Sequence, residues 1–261
     1  MRHHDFGHLD GPVVLFGGAY SNLQATLALF EAAGSRDMVS TGDLVAYCAD
    51  PVATVTAFLG EDCRGIAGNC ERQLADGADD CGCGFGDGSA CDLLSRGWYS
   101  YLRRTITDEA IDDLSRLPDI GSFEHQGRRY AVIHGGATAI NRYIWPSSQD
   151  SVFREEINAI EAAIGPVDGI VAGHCGIAFQ RLIGKHHWIN AGAIGLPPHD
   201  GRPETRHAVL DGGEVTMHRL HYDHAAARDA MERVGLTQGY HETLETGIWP
   251  SEDVLPPELR R

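Results

Sequence analysis

The sequence predicts a mixed α/β sandwich, and three observations carry that prediction. Short β-rich runs alternate with helical patterns through the first two thirds of the chain. Glycine or proline closes most of these units. Two hairpin-like pairs of β-rich runs then follow, with turns at Gly184 and at Gly212-Gly213.

Residues 12–16 (PVVLF) read as a buried strand, and residues 22–33 as a helix closed by Gly34. Residues 37–40 form a short strand, and Pro51 opens a second helix running through Leu59. Residues 65–67 are the end of a third strand. Residues 71–97 are rich in Gly, Asp and Cys and read as an ordered loop or insertion. A helical region spans 102–116, a strand 129–133, a helix 151–164 closed by Gly165 and Pro166, and a strand 169–172. Residues 177–183, 186–190, 206–211 and 214–220 read as successive antiparallel strands. Two units are expected: a domain over 1–222 and a helical C-terminal tail over 223–261, packed on the domain surface or on a partner.

The bulk properties narrow the functional classes. The chain has 261 residues, 43% of them hydrophobic, enough for a sizeable core. No apolar run reaches the roughly 18 residues that span a bilayer. The polar N-terminus lacks a secretory h-region, so a cytoplasmic location is expected. A formal net charge of −16 disfavours nucleic acid and acidic membranes as partners. It also disfavours phosphorylated substrates unless a bound cation reverses the local field. The seven cysteines are an odd number and read as thiols or metal ligands rather than a disulfide framework. Several of the 14 histidines (His3, His4, His8, His221, His224) fall near the apparently exposed ends.

Four short motifs stand at strand ends: Gly42-Asp43, Gly68-Asn69, His134-Gly135-Gly136 and Gly173-His174. In each, a ligand-type side chain follows an apolar strand and sits beside glycine, which permits a sharp turn and close approach. A carboxylate, an amide oxygen and two imidazoles make a mixed N/O set suited to Mn, Fe, Zn or Ni.

The order of these motifs resembles that of the calcineurin-like metallophosphoesterases, particularly small bacterial members related to diadenosine tetraphosphatases and phosphodiesterases. Those read D-x-H-G-N, G-D-x-x-x-Y-x-x-x-P, G-N-x-[DE], H-G, G-H-x-H and N-x-G-S-x-G-x-P. The matching segments are GGAYSNL (17–23), GDLVAYCADP (42–51), GNCE (68–71), HGG (134–136), GHCGI (173–177) and NAGAIGLP (190–197), spread over about residues 12–221. The resemblance implies a four-layer α/β/β/α sandwich with a metal site between two sheets, extended here by the C-terminal helices. It implies that Asp43, Asn69, His134 and His174 hold one metal of the family's pair. The other metal's ligand positions hold Gly18, Tyr20 and Gly176, with only the shared Asp43 kept. All the losses fall on one side, which points to a rebuilt centre holding about one divalent metal per chain.

The resemblance also nominates residues for chemistry. Tyr20 replaces a ligand histidine and is a candidate for ligation or for a hydrogen bond to substrate. Cys70 stands where many members have a general-acid histidine. Asn22 matches a first-loop asparagine, and His199 and Asp200 follow the last motif, making all three substrate-contact candidates. Cys175 is a weaker candidate. Cys70, Cys81, Cys83 and Cys91 lie within 22 positions and offer a further zinc or iron–sulfur site. The segment SRGWYSYLRR (95–104) presents three arginines, either to an anionic substrate or as snorkelling side chains of an amphipathic helix.

The leading expectation is a metal-dependent hydrolase acting on a small phosphorylated molecule or nucleotide. A non-catalytic metal- or nucleotide-binding protein is one alternative. A non-haem iron enzyme using the two histidines and Asp43 is another.

Overall fold

The structure, a computed structural model, describes all 261 residues. Its strands are β1 (His3–His8), β2 (Val13–Phe16), β3 (Asp37–Ser40), β4 (Cys63–Gly65), β5 (Ile120–His125), β6 (Arg128–Val132), β7 (Gly169–Ala172), β8 (Phe179–Ile183), β9 (His186–Asn190), β10 (Thr205–Asp211) and β11 (Glu214–Leu220). Its helices are α1 (Leu23–Ala33), α2 (Pro51–Gly60), α3 (Asn69–Ala75), α4 (Ala90–Thr105), α5 (Asp108–Ser115), α6 (Asp150–Ile164), α7 (His224–Arg233) and α8 (Tyr240–Thr246).

The strands form two sheets, a six-stranded one ordered β1-β5-β6-β7-β9-β8 and a five-stranded one ordered β11-β10-β2-β3-β4. The period-2 alternation of the buried strands explains how the sheets stack. On β2, Val13 and Leu15 join Tyr130, Val132, Val171 and Ile189 in the core between the sheets. Val14 and Phe16 point the other way, into a core shared with helices α1, α2 and α4. On the far side, Ala131 and Ile170 pack under Phe153, Ile157 and Ile160 of α6. The result is the expected four-layer α/β/β/α sandwich.

Several elements depart from expectation. Residues 71–97 are not one loop: α3 runs into them from Asn69, and α4 begins at Ala90. The apolar spacing of Cys91, Ser95, Trp98 and Leu102, all buried in α4, is helical, and a Gly/Asp-rich composition concealed it. The helical region after it is two helices, divided where Thr107 caps α5 by accepting from the Ala110 N–H. Two strands were not anticipated. The histidine-rich N-terminus forms β1, parallel to β5, with its side chains mostly exposed. The two late hairpins belong to different sheets: β8–β9 joins the six-stranded sheet through β7, and β10–β11 joins the five-stranded sheet through β2.

The C-terminal helices pack against the rest of the chain. Ala227 and Met231 of α7 and Leu244 of α8 sit in the same core as Leu29 of α1. No helix is long and apolar enough to cross a membrane.

Candidate metal centre

The C-terminal ends of β3, β4, β6 and β7 meet at one point between the sheets, and each delivers a side chain there. Asp43 follows β3, Asn69 opens α3 after β4, His134 follows β6 and His174 follows β7. The loops touch backbone to backbone. A Cβ on Gly68 would lie 2.2 Å from Asp43 Oδ1, so only glycine lets the two loops close. Glu71, wholly buried, fastens them by accepting from the N–H groups of Asp43 (2.8 Å), Gly68 (2.7 Å) and Val45 (3.2 Å).

The donor atoms converge on His134 Nε2. Asn69 Oδ1 lies 3.0 Å from it, His174 Nδ1 3.1 Å and Asp43 Oδ2 3.3 Å. Asp43, His134 and His174 form a set with ligand atoms all within 4.8 Å of one another. The proton inventory is informative. His134 Nδ1 donates to the Thr41 carbonyl at 2.7 Å, which leaves Nε2 of the neutral ring with a bare lone pair. The Asn69 amide is oriented by its Nδ2, which donates to the Cys81 carbonyl at 2.8 Å and so turns Oδ1 inward. A carboxylate oxygen, an amide oxygen and two ring nitrogens thus face one another, an arrangement that a cation, or a proton on His134 Nε2, reconciles. Neighbouring ligands on a cation with bonds of about 2.1 Å lie about 3.0–3.4 Å apart, which matches the observed spacing. The residues present therefore fit one transition-metal ion.

Without an ion, the electrostatics favour a charged Asp43–His134 pair. Burial opposes the charge on Asp43, but the facing His134 outweighs it and holds the carboxyl below its ordinary range. Burial likewise opposes protonation of His134, and Asp43 more than restores it, raising its pKa. His174 is pushed down to about 3 by desolvation and by His134, so it stands neutral. Burial and the Asp43 charge raise Glu71 to about 7.

Aromatic rings stand against Gly18 and Gly176. Tyr20 is buried with φ 54°, and its ring lies over Gly18, where a Cβ would come within 2.3 Å of Tyr20 Cζ. An aspartate at Gly18 and this tyrosine rotamer exclude each other. Burial holds the Tyr20 phenol well above its ordinary pKa. At Gly176 a Cβ would sit 3.5 Å from the indole of Trp249. Trp249 is tied in place by its Nε1, donating to the Pro197 carbonyl (2.7 Å), and by its backbone N–H, donating to His199 Nδ1 (2.8 Å).

A cavity of about 50 Å³ adjoins His174, walled by Tyr20, Tyr47, Phe85, Tyr143, Tyr240 and Trp249, with no lysine or arginine in its lining. Tyr143 packs on the His174 ring at 4.3 Å between centroids.

The other candidates fall elsewhere. Asn22 spends both ends of its amide on structure, accepting from the Ala25 N–H at the start of α1 and donating to the Gly195 carbonyl. His199 is engaged at both ring nitrogens by the C-terminal segment, the second by Glu252 at 2.8 Å. Asp200 pairs with Arg206 and Arg219. Cys70 presents its backbone N–H to Asp43 Oδ1 (3.2 Å), while burial and Asp43 keep its thiol protonated. Cys175 lines the cavity. Arg96 and Arg103 pair with Asp92 and Asp79, and Arg104 donates to Ser100, so none of the three reaches the cavity.

The four-cysteine metal set is not assembled, and the expectation of thiols or metal ligands is corrected for one pair. Cys81 and Cys83 are bonded to each other, because the single Gly82 between them brings their Cα atoms to 5.3 Å. Cys70 and Cys91 remain as free buried thiols.

Glu71, Trp249 and Tyr143 had no assigned role in the sequence. Glu71 was visible as the last letter of G-N-C-E, whereas nothing local marks Trp249.

No known sequence family and no curated protein matches the chain. Solved structures do. A metallophosphoesterase from Sphaerobacter thermophilus is 19% identical, with a TM-score of 0.71 over 92% of this chain and 100% of that one. A hypothetical protein from Pyrococcus horikoshii OT3 is 16% identical, with a TM-score of 0.74 over 90% of this chain and 98% of that one. With two stacked sheets, flanking helices and a cation-ready cluster at the strand ends, the chain has the metallophosphoesterase fold.

Proposed function

We propose that the protein is a metal-dependent phosphoester hydrolase working with one metal ion, on a small substrate whose non-phosphate part is apolar or aromatic. The observation that carries this reading is the convergence of a carboxylate oxygen, an amide oxygen and two ring nitrogens on one point. Asp43, Asn69, His134 and His174 would hold the ion. When bound, a divalent ion supplies positive charge for phosphoryl oxygens and lowers the pKa of a coordinated water.

The chain's own residues do the rest. The Thr41 carbonyl fixes the His134 tautomer, and Glu71 fixes the Asp43 loop against Asn69. Tyr20, a neutral phenol in the cavity wall, is placed to donate a hydrogen bond to a substrate oxygen. The aromatic walls exclude water, which strengthens each polar contact made inside. They offer stacking and apolar contact to the leaving group. A lining without arginine or lysine suits a single phosphate bound through the ion better than a polyphosphate. Tyr20, whose ring takes the space of a side chain at position 18, favours one ion over two.

The test is metal content by elemental analysis, joined to turnover of aryl phosphomonoesters and phosphodiesters after loading with Mn, Fe, Zn or Ni. One ion per chain and turnover are expected, and His134→Ala should lose both, with activity down about 100-fold or more. Two ions per chain would refute the single-ion site. Turnover unchanged in His134→Ala would refute its role.

One observation favours a second reading, a non-catalytic metal-binding protein: the cavity beside His174 is small and the C-terminal segment closes it. Metal retained at one per chain, with no turnover of any ester even in Trp249→Ala, would decide for it.

A further inference from the structure

Asn69 is the one member of the donor set whose useful atom is not settled by residue type. An amide has an oxygen that serves a cation and a nitrogen that does not. Here the choice is made by the segment Cys81-Gly82-Cys83. Asn69 Nδ2 donates to the Cys81 carbonyl at 2.8 Å and lies 3.5 Å from Cys83 Sγ. The same segment reaches the loop after His134, because the Gly82 carbonyl accepts from Asn141 Nδ2 at 2.9 Å. That loop is closed on itself by the Gly135 N–H donating to the Ile140 carbonyl. Residues 76–89 contain no helix or strand, so no ladder of backbone hydrogen bonds aims the Cys81 carbonyl. The covalent bond between Cys81 and Cys83, with Gly82 at φ 63° and its N–H donating to Asp80 Oδ1 at 2.7 Å, closes the turn.

We propose that the Cys81–Cys83 disulfide is a positioning device for Asn69 that makes metal binding depend on thiol oxidation state. This rests on the metal-site reading given above. With the bond closed, the Cys81 carbonyl holds Nδ2 and Oδ1 points into the site. Reduction by a dithiol breaks the S–S bond, and the dithiol gives up two electrons and two protons as it closes to its own disulfide. Cys81 and Cys83 become thiols. The turn relaxes, Asn69 is free to rotate, and three protein donors remain. Both sulfurs are buried, so exchange proceeds through opening of the 76–89 loop.

The test uses the full chain and Co²⁺ as the probe, with any reductant removed anaerobically before titration. Thiol counting in denaturant should rise from five to seven on reduction, since five of the seven cysteines are free. Co²⁺ affinity should fall about 10- to 100-fold, the usual cost of losing a group that orients a ligand, with a change in the visible Co²⁺ bands. Cys81→Ser/Cys83→Ser should behave like the reduced protein. Asn69→Ala separates positioning from general loosening: reduction should cost that variant no further affinity, because the two losses act through one group. Equal affinity and identical bands in the oxidised and reduced protein would overturn the proposal and leave the metal site standing. Additive losses in Asn69→Ala, or global unfolding on reduction by circular dichroism, would also overturn it. Failure of the oxidised protein to bind any Co²⁺ would overturn the metal-site reading together with the proposal. If the double serine variant does not fold, the reduced wild-type protein decides.

Discussion

Glu71 shows how much of the site depends on one side chain. Its two carboxyl oxygens take three backbone N–H groups from two different loops, and no part of it reaches solvent. Glu71→Ala leaves those three donors buried and unpaired. A cost of about 3 kcal/mol or more is expected in urea unfolding, since each orphaned donor costs about 1–3 kcal/mol. Glu71→Gln, which keeps one acceptor oxygen, should lose less. A variant with wild-type stability in both cases would remove Glu71 from this role. Tyr20 makes a related point at the same scale. Its ring and a side chain at position 18 compete for one volume, so any residue larger than glycine there and this tyrosine rotamer exclude each other. The sequence displays the two residues two positions apart and leaves that competition hidden.

Helix α6 contributes more than a cover for the six-stranded sheet. Its buried Glu156 accepts from the Ala137 N–H (2.6 Å), the Thr138 N–H (3.0 Å) and Arg142 Nη1 (2.5 Å), pinning the loop that follows His134. Glu156→Ala leaves the Ala137 and Thr138 N–H groups unpaired and should destabilise by about 2 kcal/mol or more in chemical denaturation, at about 1–3 kcal/mol per orphaned donor. It should also broaden NMR signals of the 135–142 loop, and a loop unchanged by the substitution would count against the pinning. The helical and strand patterns around this loop were readable because glycine and proline punctuate them. Residues 71–97 were not, since their Gly, Asp and Cys content outweighed the helical spacing of Cys91, Ser95, Trp98 and Leu102. β1 escaped notice for a different reason. It is an edge strand with exposed side chains, and its partner β5 lies more than a hundred residues away.

Across the whole molecule, the C-terminal segment crosses back over the strand ends and is held there by His199. Glu252 is central to that attachment. The Arg261 backbone N–H and then His199 hold its carboxyl below the ordinary 4.5. A carboxyl depressed in the folded state lends stability that is complete above its unfolded pKa and is lost as pH falls through the lower folded value. Docking of Trp249 should therefore hold above about pH 4.5 and loosen in more acid solution. Tryptophan fluorescence followed through an acid titration should show a step below that pH, and the step should be missing in Glu252→Gln. An identical step in that variant would place the acid sensitivity elsewhere.

What the sequence determined by itself was the set of strands at the centre and the four-layer class, and it nominated the four residues that the fold brings together, Asp43, Asn69, His134 and His174. These are legible because each depends on neighbours in the chain: an apolar run, a glycine, and a ligand-type residue at the strand's end. The tertiary structure alone decided three things: that the Tyr20 ring lies over Gly18 and Trp249 beside Gly176, that Asn22 and His199 hydrogen-bond within the protein, and that the Cys81 carbonyl accepts from Asn69 Nδ2. Each is a contact between segments distant in sequence. A residue's competition for volume and for hydrogen-bond partners is settled only when those segments meet.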